Sequence, residues 1–167
     1  MLPPVTVRAA KEDDLPSLLE IPQYSEVSFP YEEDILVAES NDGILGAISI
    51  GQWDIMCVPG EWKNNHENLN GIAERKKGPW VSKLYVFPDY RLRGIGTRLV
   101  EAAVEREKGK GSKEIFSGIY IRNRSRPISP HIFEKSGFKE IGSCICPMPK
   151  GYCRGTLLKK NLLEESE

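Results

Sequence analysis

The chain has 167 residues, 40% of them hydrophobic and 28% charged, with a formal net charge of −1. That length suits one domain with a sizeable core, and the composition reads as globular and soluble. No apolar run approaches the roughly 20 residues that span a bilayer. Met1–Arg8 lacks the charged and apolar regions of a signal peptide, so a cytoplasmic location is expected, with neither membrane nor nucleic acid as partner. The near-zero net charge hides a division. Residues 1–74 hold three Lys/Arg against fourteen Asp/Glu, and residues 75–167 hold twenty against ten. A basic second half suits a polyanionic cofactor, and an acidic first half suits a cationic amine. Equally, the two halves could intermix in three dimensions.

Pro4–Arg8 alternates Val5 and Val7 with polar neighbours and predicts a first strand. Asp13 or Asp14 can cap a helix that carries Pro16 in its first turn and turns Leu15, Leu18 and Leu19 to the core. Ile21-Pro22 ends it. Residues 24–31 read as a short helix or an irregular loop, and the region as a whole mixes Tyr24, Phe29 and Tyr31 with Glu26, Glu32 and Glu33. That mix can grip a cationic amine, or it can be packing residues flanked by solvated carboxylates. Asp34–Ser40 and Ile44–Ile50 form a hairpin about the tight turn Asn41-Asp42-Gly43.

Residues 52–78 are too long for a hairpin connection and read as a lid, a binding loop or disorder. His66 lies there and could serve as a base, or be simply solvated. Trp80–Phe87 predicts a strand ended by Pro88, and a helix follows from Gly94 to Glu107, with Ile95, Leu99, Ala102, Ala103 and Arg106 on one face. Glu114–Ile121 is a further strand, followed by basic residues 122–127. A short helix from Ser129 or Pro130 closes at Gly137. A last hairpin pairs 138–146 with 152–158, and the tail from Asn161 is expected to fray. Cys57, Cys144, Cys146 and Cys153 lack Cys-x-x-Cys spacing and read as reduced structural thiols, not zinc ligands.

The turn from strand to helix at 88–97 carries the chemistry. Gly94 and Gly96 let a ligand approach the backbone. The amides of the first helical turn have no partner inside the helix and sit at its positive end. Arg91, Arg93 and Arg98 add charge of the same sign. The turn reads as a pyrophosphate cradle. It is not a P-loop, because no Lys follows the glycines, and it is not a dinucleotide fingerprint, because position 99 is Leu.

Arg91-x-x-Gly94-x-Gly96 after a strand ending in Pro resembles motif A of the GNAT superfamily of acyl-CoA N-acyltransferases. Ile132-Phe-Glu-Lys-Ser-Gly-Phe138 resembles that family's motif B. The resemblance implies an α/β (α+β) fold, with a mixed, mostly antiparallel central sheet flanked by helices. It implies acetyl-CoA as co-substrate and an amine as acceptor, small molecule or peptide, with homodimerisation left open. Main-chain groups of Leu84, Tyr85 and Val86 would pair with the pantetheine arm. Amides of Arg91, Leu92, Arg93, Gly94, Ile95, Gly96 and Thr97 would hold the pyrophosphate. Asn123, or Arg126 in its place, would reach the pantetheine.

No catalytic residue follows from the pattern. The motif B position that often carries a Tyr acid is Phe133, so Tyr120, Tyr152, a water or nothing fills that role. The strand before the cradle offers Ser82 and Lys83 where a carboxylate base is common. A non-catalytic acyl-CoA-binding regulator of the same fold is the alternative.

Overall fold

The computed structural model of the chain describes residues 4–58, 74–120, 130–148 and 151–163. In chain order these form β1 (Thr6–Ala9), α1 (Leu15–Leu19), β2 (Asp34–Ser40), β3 (Gly43–Val58), β4 (Glu74–Val86), α2 (Ile95–Gly109), β5 (Glu114–Tyr120), α3 (Pro130–Lys135), β6 (Lys139–Met148) and β7 (Gly151–Asn161). The strands make one sheet in the order β1-β2-β3-β4-β5-β7-β6. Every described pairing is antiparallel except β4 with β5. The far end of β3 also pairs with β6, Cys57 opposite Cys144, so five of the strands close into a ring. A cluster of Trp80, Phe116 and Leu157, with Ile141 against it, ties four strands of that ring together.

Alternation along the strands builds two more layers. Leu36, Ile48, Leu84 and Val86 face α2, where Ile95, Leu99, Val100, Ala103 and Val104 are buried against them. Ile35, Val37 and Ala47 face the other way, under Leu18, Ile21 and Tyr24. Packing decides where α2 sits. Each buried aliphatic side chain contributes about 1.5–3 kcal/mol, against propensity differences of about 0.7 kcal/mol or less per residue.

Several expectations need correction. The buried stripe of α2 ends on Glu107, which is fully buried and accepts a hydrogen bond from Ser112 Oγ at 2.6 Å. Arg106 instead reaches outward to Asp34 of β2. The expected loop 52–78 is strand at both ends, because β3 runs to Val58 and β4 starts at Glu74. The register sets Asp54 against Lys77, and Arg75 reaches Asp54 at 3.4 Å, so a polar stretch is stitched by opposite charges. Residues 59–73, His66 among them, lie outside the described residues. Leu19 is exposed. The tail is anchored further than expected: β7 continues to Asn161, and buried Leu162 donates its amide to Lys113 O at 2.8 Å.

Asp14 caps a different turn from the expected one. Its Oδ2 accepts the Lys11 amide at 2.7 Å, closing the 3-10 turn Glu12–Asp14 that leads into α1. Arg8 of β1 grips the same carboxylate with Nη1 at 2.7 Å and Nη2 at 2.9 Å, and grips Glu39 of β2 at 2.8 Å. The Arg8 hydrogen bonds hold the Asp14 carboxyl below its ordinary range, against the opposing effect of burial. A depressed folded-state pKa gives stability that is complete above the unfolded value of about 3.9 and is lost as pH falls through the folded one. Asp14→Asn is therefore expected to lower unfolding free energy by about 1–3 kcal/mol at pH 7. The difference should shrink as pH falls below the unfolded carboxyl value of about 3.9, as urea titrations at neutral and acid pH would read.

Candidate functional site

The site begins where β5 leaves β4. These two parallel strands pair only at Trp80–Phe116 and Val81–Ser117. At the next residue the β3–β4 register slips: Ile50 faces Val81 and Ser49 faces Lys83, so Ser82 is a bulge. A bulge bends its strand and increases the local twist. β5 pairs with β7 on its other edge throughout, and past the bulge the outer edge of β4 has no strand partner among the described residues. Phe87 donates its amide to Leu45 O at 2.9 Å, so its main chain faces β3. Because main-chain groups alternate, Tyr85 faces β3 as well, while Leu84 and Val86 turn theirs to the open side. Of the three residues expected to pair with a cofactor arm, Leu84 and Val86 turn main-chain groups to the open side and Tyr85 turns its own to β3.

The cradle follows. Pro88 starts a 3-10 turn through Tyr90, where its missing amide costs nothing. Arg91 is extended, and Leu92 and Gly94 take left-handed conformations at φ +62° and +80°. Glycine at 94 meets that requirement without strain. The first described hydrogen bond of α2 runs from the Arg98 amide to Gly94 O at 3.1 Å. The amides of Ile95, Gly96 and Thr97 are therefore left without a helical partner, at an end that carries about half a positive charge. Gly96 packs closely, since a Cβ there would lie 3.2 Å from Ile132 Cδ1, a tight contact, and 3.8 Å from Val86 Cγ2.

The three arginines divide their roles. Arg91 Nε donates to Val86 O at 2.7 Å, and its guanidinium lies 5.2 Å from the centre of the Tyr85 ring. It clamps the loop to β4. Arg93 and Arg98 are exposed and supply field.

A cavity of about 530 Å³ lies between these parts. Leu84 and Val86 form one wall, and Arg91, Leu92, Gly94, Ile95, Gly96 and Thr97 form another. Arg93, expected with them, is not on the wall, and Asn123 lies outside the described residues. Tyr90, Ile132 and Lys135 complete the lining and were not anticipated. The signal for two of them was present: Ile132 and Lys135 are three apart in motif B and share a helix face. Unpaired amides at a helix start, Lys135 nearby and an open strand edge fit a diphosphate bearing an amide-containing arm.

A second cavity of about 320 Å³ lies on the opposite face of the sheet, lined in part by Tyr24, Glu26, Glu32, Glu33, Ser49 and Lys83. Lys83 and Leu84 are neighbours that point to opposite faces, so the two cavities adjoin across β4 where β5 has parted from it. Burial pushes the Tyr24 phenol well above its ordinary range, against a hydrogen bond with Ser49 Oγ and with help from the Glu33 charge, so it remains protonated. Phe133 is buried against Phe138, with ring centres 5.3 Å apart, and lines neither cavity. Among the described residues no cluster of His, Cys, Asp or Glu could hold a metal.

Residues 31–140 match the family model of the acetyltransferase (GNAT) domain. The chain belongs to this family. The GNAT reaction moves an acetyl group from acetyl-CoA to an amine, so the protein is an acyltransferase with acetyl-CoA as its co-substrate. Solved structures share the fold at low identity. The ribosomal-protein-S18-alanine N-acetyltransferase of Escherichia coli is 15% identical with TM-score 0.61, covering 98% of this chain and 97% of its own. The ribosomal-protein-alanine N-acetyltransferase of Brucella melitensis is 21% identical with TM-score 0.59, covering 93% and 99%. The Salmonella typhimurium protein yncA, solved with its cofactor acetyl-CoA, is 17% identical with TM-score 0.61, covering 98% and 96%. No protein of curated function matches the chain in sequence.

Gly96→Val should fill the cradle between Val86 and Ile132. Coenzyme A affinity is expected to fall by about tenfold or more, which is about 1.4 kcal/mol. Isothermal calorimetry with the purified variant checks this, and an unchanged Kd contradicts the cradle.

Proposed function

We propose that this GNAT acetyltransferase binds acetyl-CoA in the α2-side cavity and receives its amine from the cavity on the other face. The carrying observation is the parting of β4 from β5 at the Ser82 bulge, which opens the sheet between the two cavities. The amides of Ile95, Gly96 and Thr97 would take the pyrophosphate, with Lys135 and the exposed Arg93 and Arg98 adding positive charge. Leu84 and Val86 would take the amides of the pantetheine arm as a short added strand. Acetyl-CoA supplies an activated acyl group on a thiol of pKa about 8.5, so departure of the thiolate needs little help. That suits a site in which Phe133, at the common acid position, has no proton to give.

The acceptor is a primary amine, and its alkylammonium, with pKa about 10.4, must lose a proton before attack. Peptide N-termini belong to this class, as the names of two structural neighbours suggest, and small-molecule amines do too. We place the enzyme in the cytoplasm, where its four cysteines would remain thiols.

Acetyl-CoA at a hundred times its Kd should stabilise the protein by about 2.7 kcal/mol, while ATP and NAD should not. Thermal melts with each ligand at millimolar concentration check this, and a melt unmoved by acetyl-CoA contradicts the site. Thiol release with spermidine, tyramine and an alanyl peptide then reads turnover. A melting shift without thiol release from any amine favours the acyl-CoA-binding regulator.

A further inference from the structure

The β4 strand carries no carboxylate beside the point where β5 leaves it, yet the fold delivers one there. Glu33, from the segment before β2, places Oε2 at 2.7 Å from Ser82 Oγ and Oε1 at 2.7 Å from Lys83 Nζ. Ser82 is the bulged residue, so Glu33 is fastened to the vertex of the split. Its side chain is 21% exposed and opens on the 320 Å³ cavity. Each of its bonds uses one lone-pair site, and an ionised carboxylate has about four, so acceptor capacity remains on both oxygens.

The surroundings keep it in place. Lys83 Nζ lies 5.4 Å from the centre of the Tyr24 ring, which fixes the cation that holds Oε1. Tyr24 is bound to Ser49 and stays neutral. Glu26 and Glu32 are the other titratable groups on the cavity wall, both exposed and both negative. An ammonium entering from this side meets three carboxylates and one lysine.

Building on the proposed acceptor path, we infer that Glu33 is the catalytic base: it holds the acceptor ammonium and takes its first proton. The free amine then attacks the thioester carbonyl carbon, the C–S bond breaks, and the thiolate takes the second proton from nitrogen. The products are an N-acetyl amide and a thiol, with one proton on Glu33 for return to water. Ser82 and Lys83 are positioning residues that aim this carboxylate.

Glu33→Gln and Glu33→Asp test the assignment. With spermidine, tyramine and an alanyl peptide, the Gln variant should lose about 100-fold or more in kcat/KM, the usual scale for a base. The wild-type pH profile should level off well below the acceptor's own pKa of about 10.4, while the Gln profile keeps rising towards it. The Asp variant should fall between the two in rate and keep the flat profile.

A second readout is independent of turnover. The same amines titrated into protein saturated with coenzyme A should bind the wild type about tenfold or more tighter than the Gln variant. The assignment is overturned by a Gln variant with wild-type pH profile and amine affinity, by an Asp profile that climbs like the Gln profile, or by a wild type that binds none of the amines. The melting shift with acetyl-CoA judges the cofactor site separately: if it survives in every variant while the wild type binds none of the amines, or binds them no tighter than the Gln variant, only the Glu33 assignment falls.

Discussion

Hydrogen-bonding capacity left unused along one side of β4 is the constraint on which the rest depends. A strand inside a sheet normally satisfies both edges, and a buried main-chain group without a partner costs about 1–3 kcal/mol. Here the bulge at Ser82 bends β4 away from β5, and Leu84 and Val86 face a cavity where water or a ligand can satisfy them. Open edges invite unwanted pairing. This one is short, is set back between α2 and the α3 residues Ile132 and Lys135, and is partly closed by Arg91 at Val86 O. The same arginine holds the glycine turn against the strand, so the start of α2 and the open edge keep a fixed relation.

The two cavities on either face of the sheet also differ in charge. The acidic first half of the chain contributes Glu26, Glu32 and Glu33 to one cavity. The basic second half contributes Arg91 and Lys135 to the other. Away from the site the two halves do intermix: Asp34 is held by Arg106 and Lys110, and Arg8 bridges Asp14 and Glu39. Division at the site and intermixing elsewhere thus hold in the same molecule.

The sequence alone determined the elements whose signals are local. Gly94 sits where φ is positive, an effect that acts within one turn, and Gly96 sits where a Cβ would crowd Ile132. The hairpin at Asn41-Asp42-Gly43, the stop at Pro88 and the helix end at Gly137 are likewise set by neighbouring residues, so family, fold class and the strand-turn-helix at 88–97 are legible in the order of the amino acids. Tertiary structure decided what depends on register and long-range approach. A one-residue slip between β3 and β4 has no sequence signature, yet it selects Leu84 and Val86 over Tyr85 for the open edge. The carboxylate that β4 lacks beside the split arrives from a residue 49 positions away from Ser82 in the chain, and no spacing rule reaches that far. Side-chain chemistry was legible wherever the backbone that carries it is local; which side chains meet was not, because that is fixed only when the sheet closes.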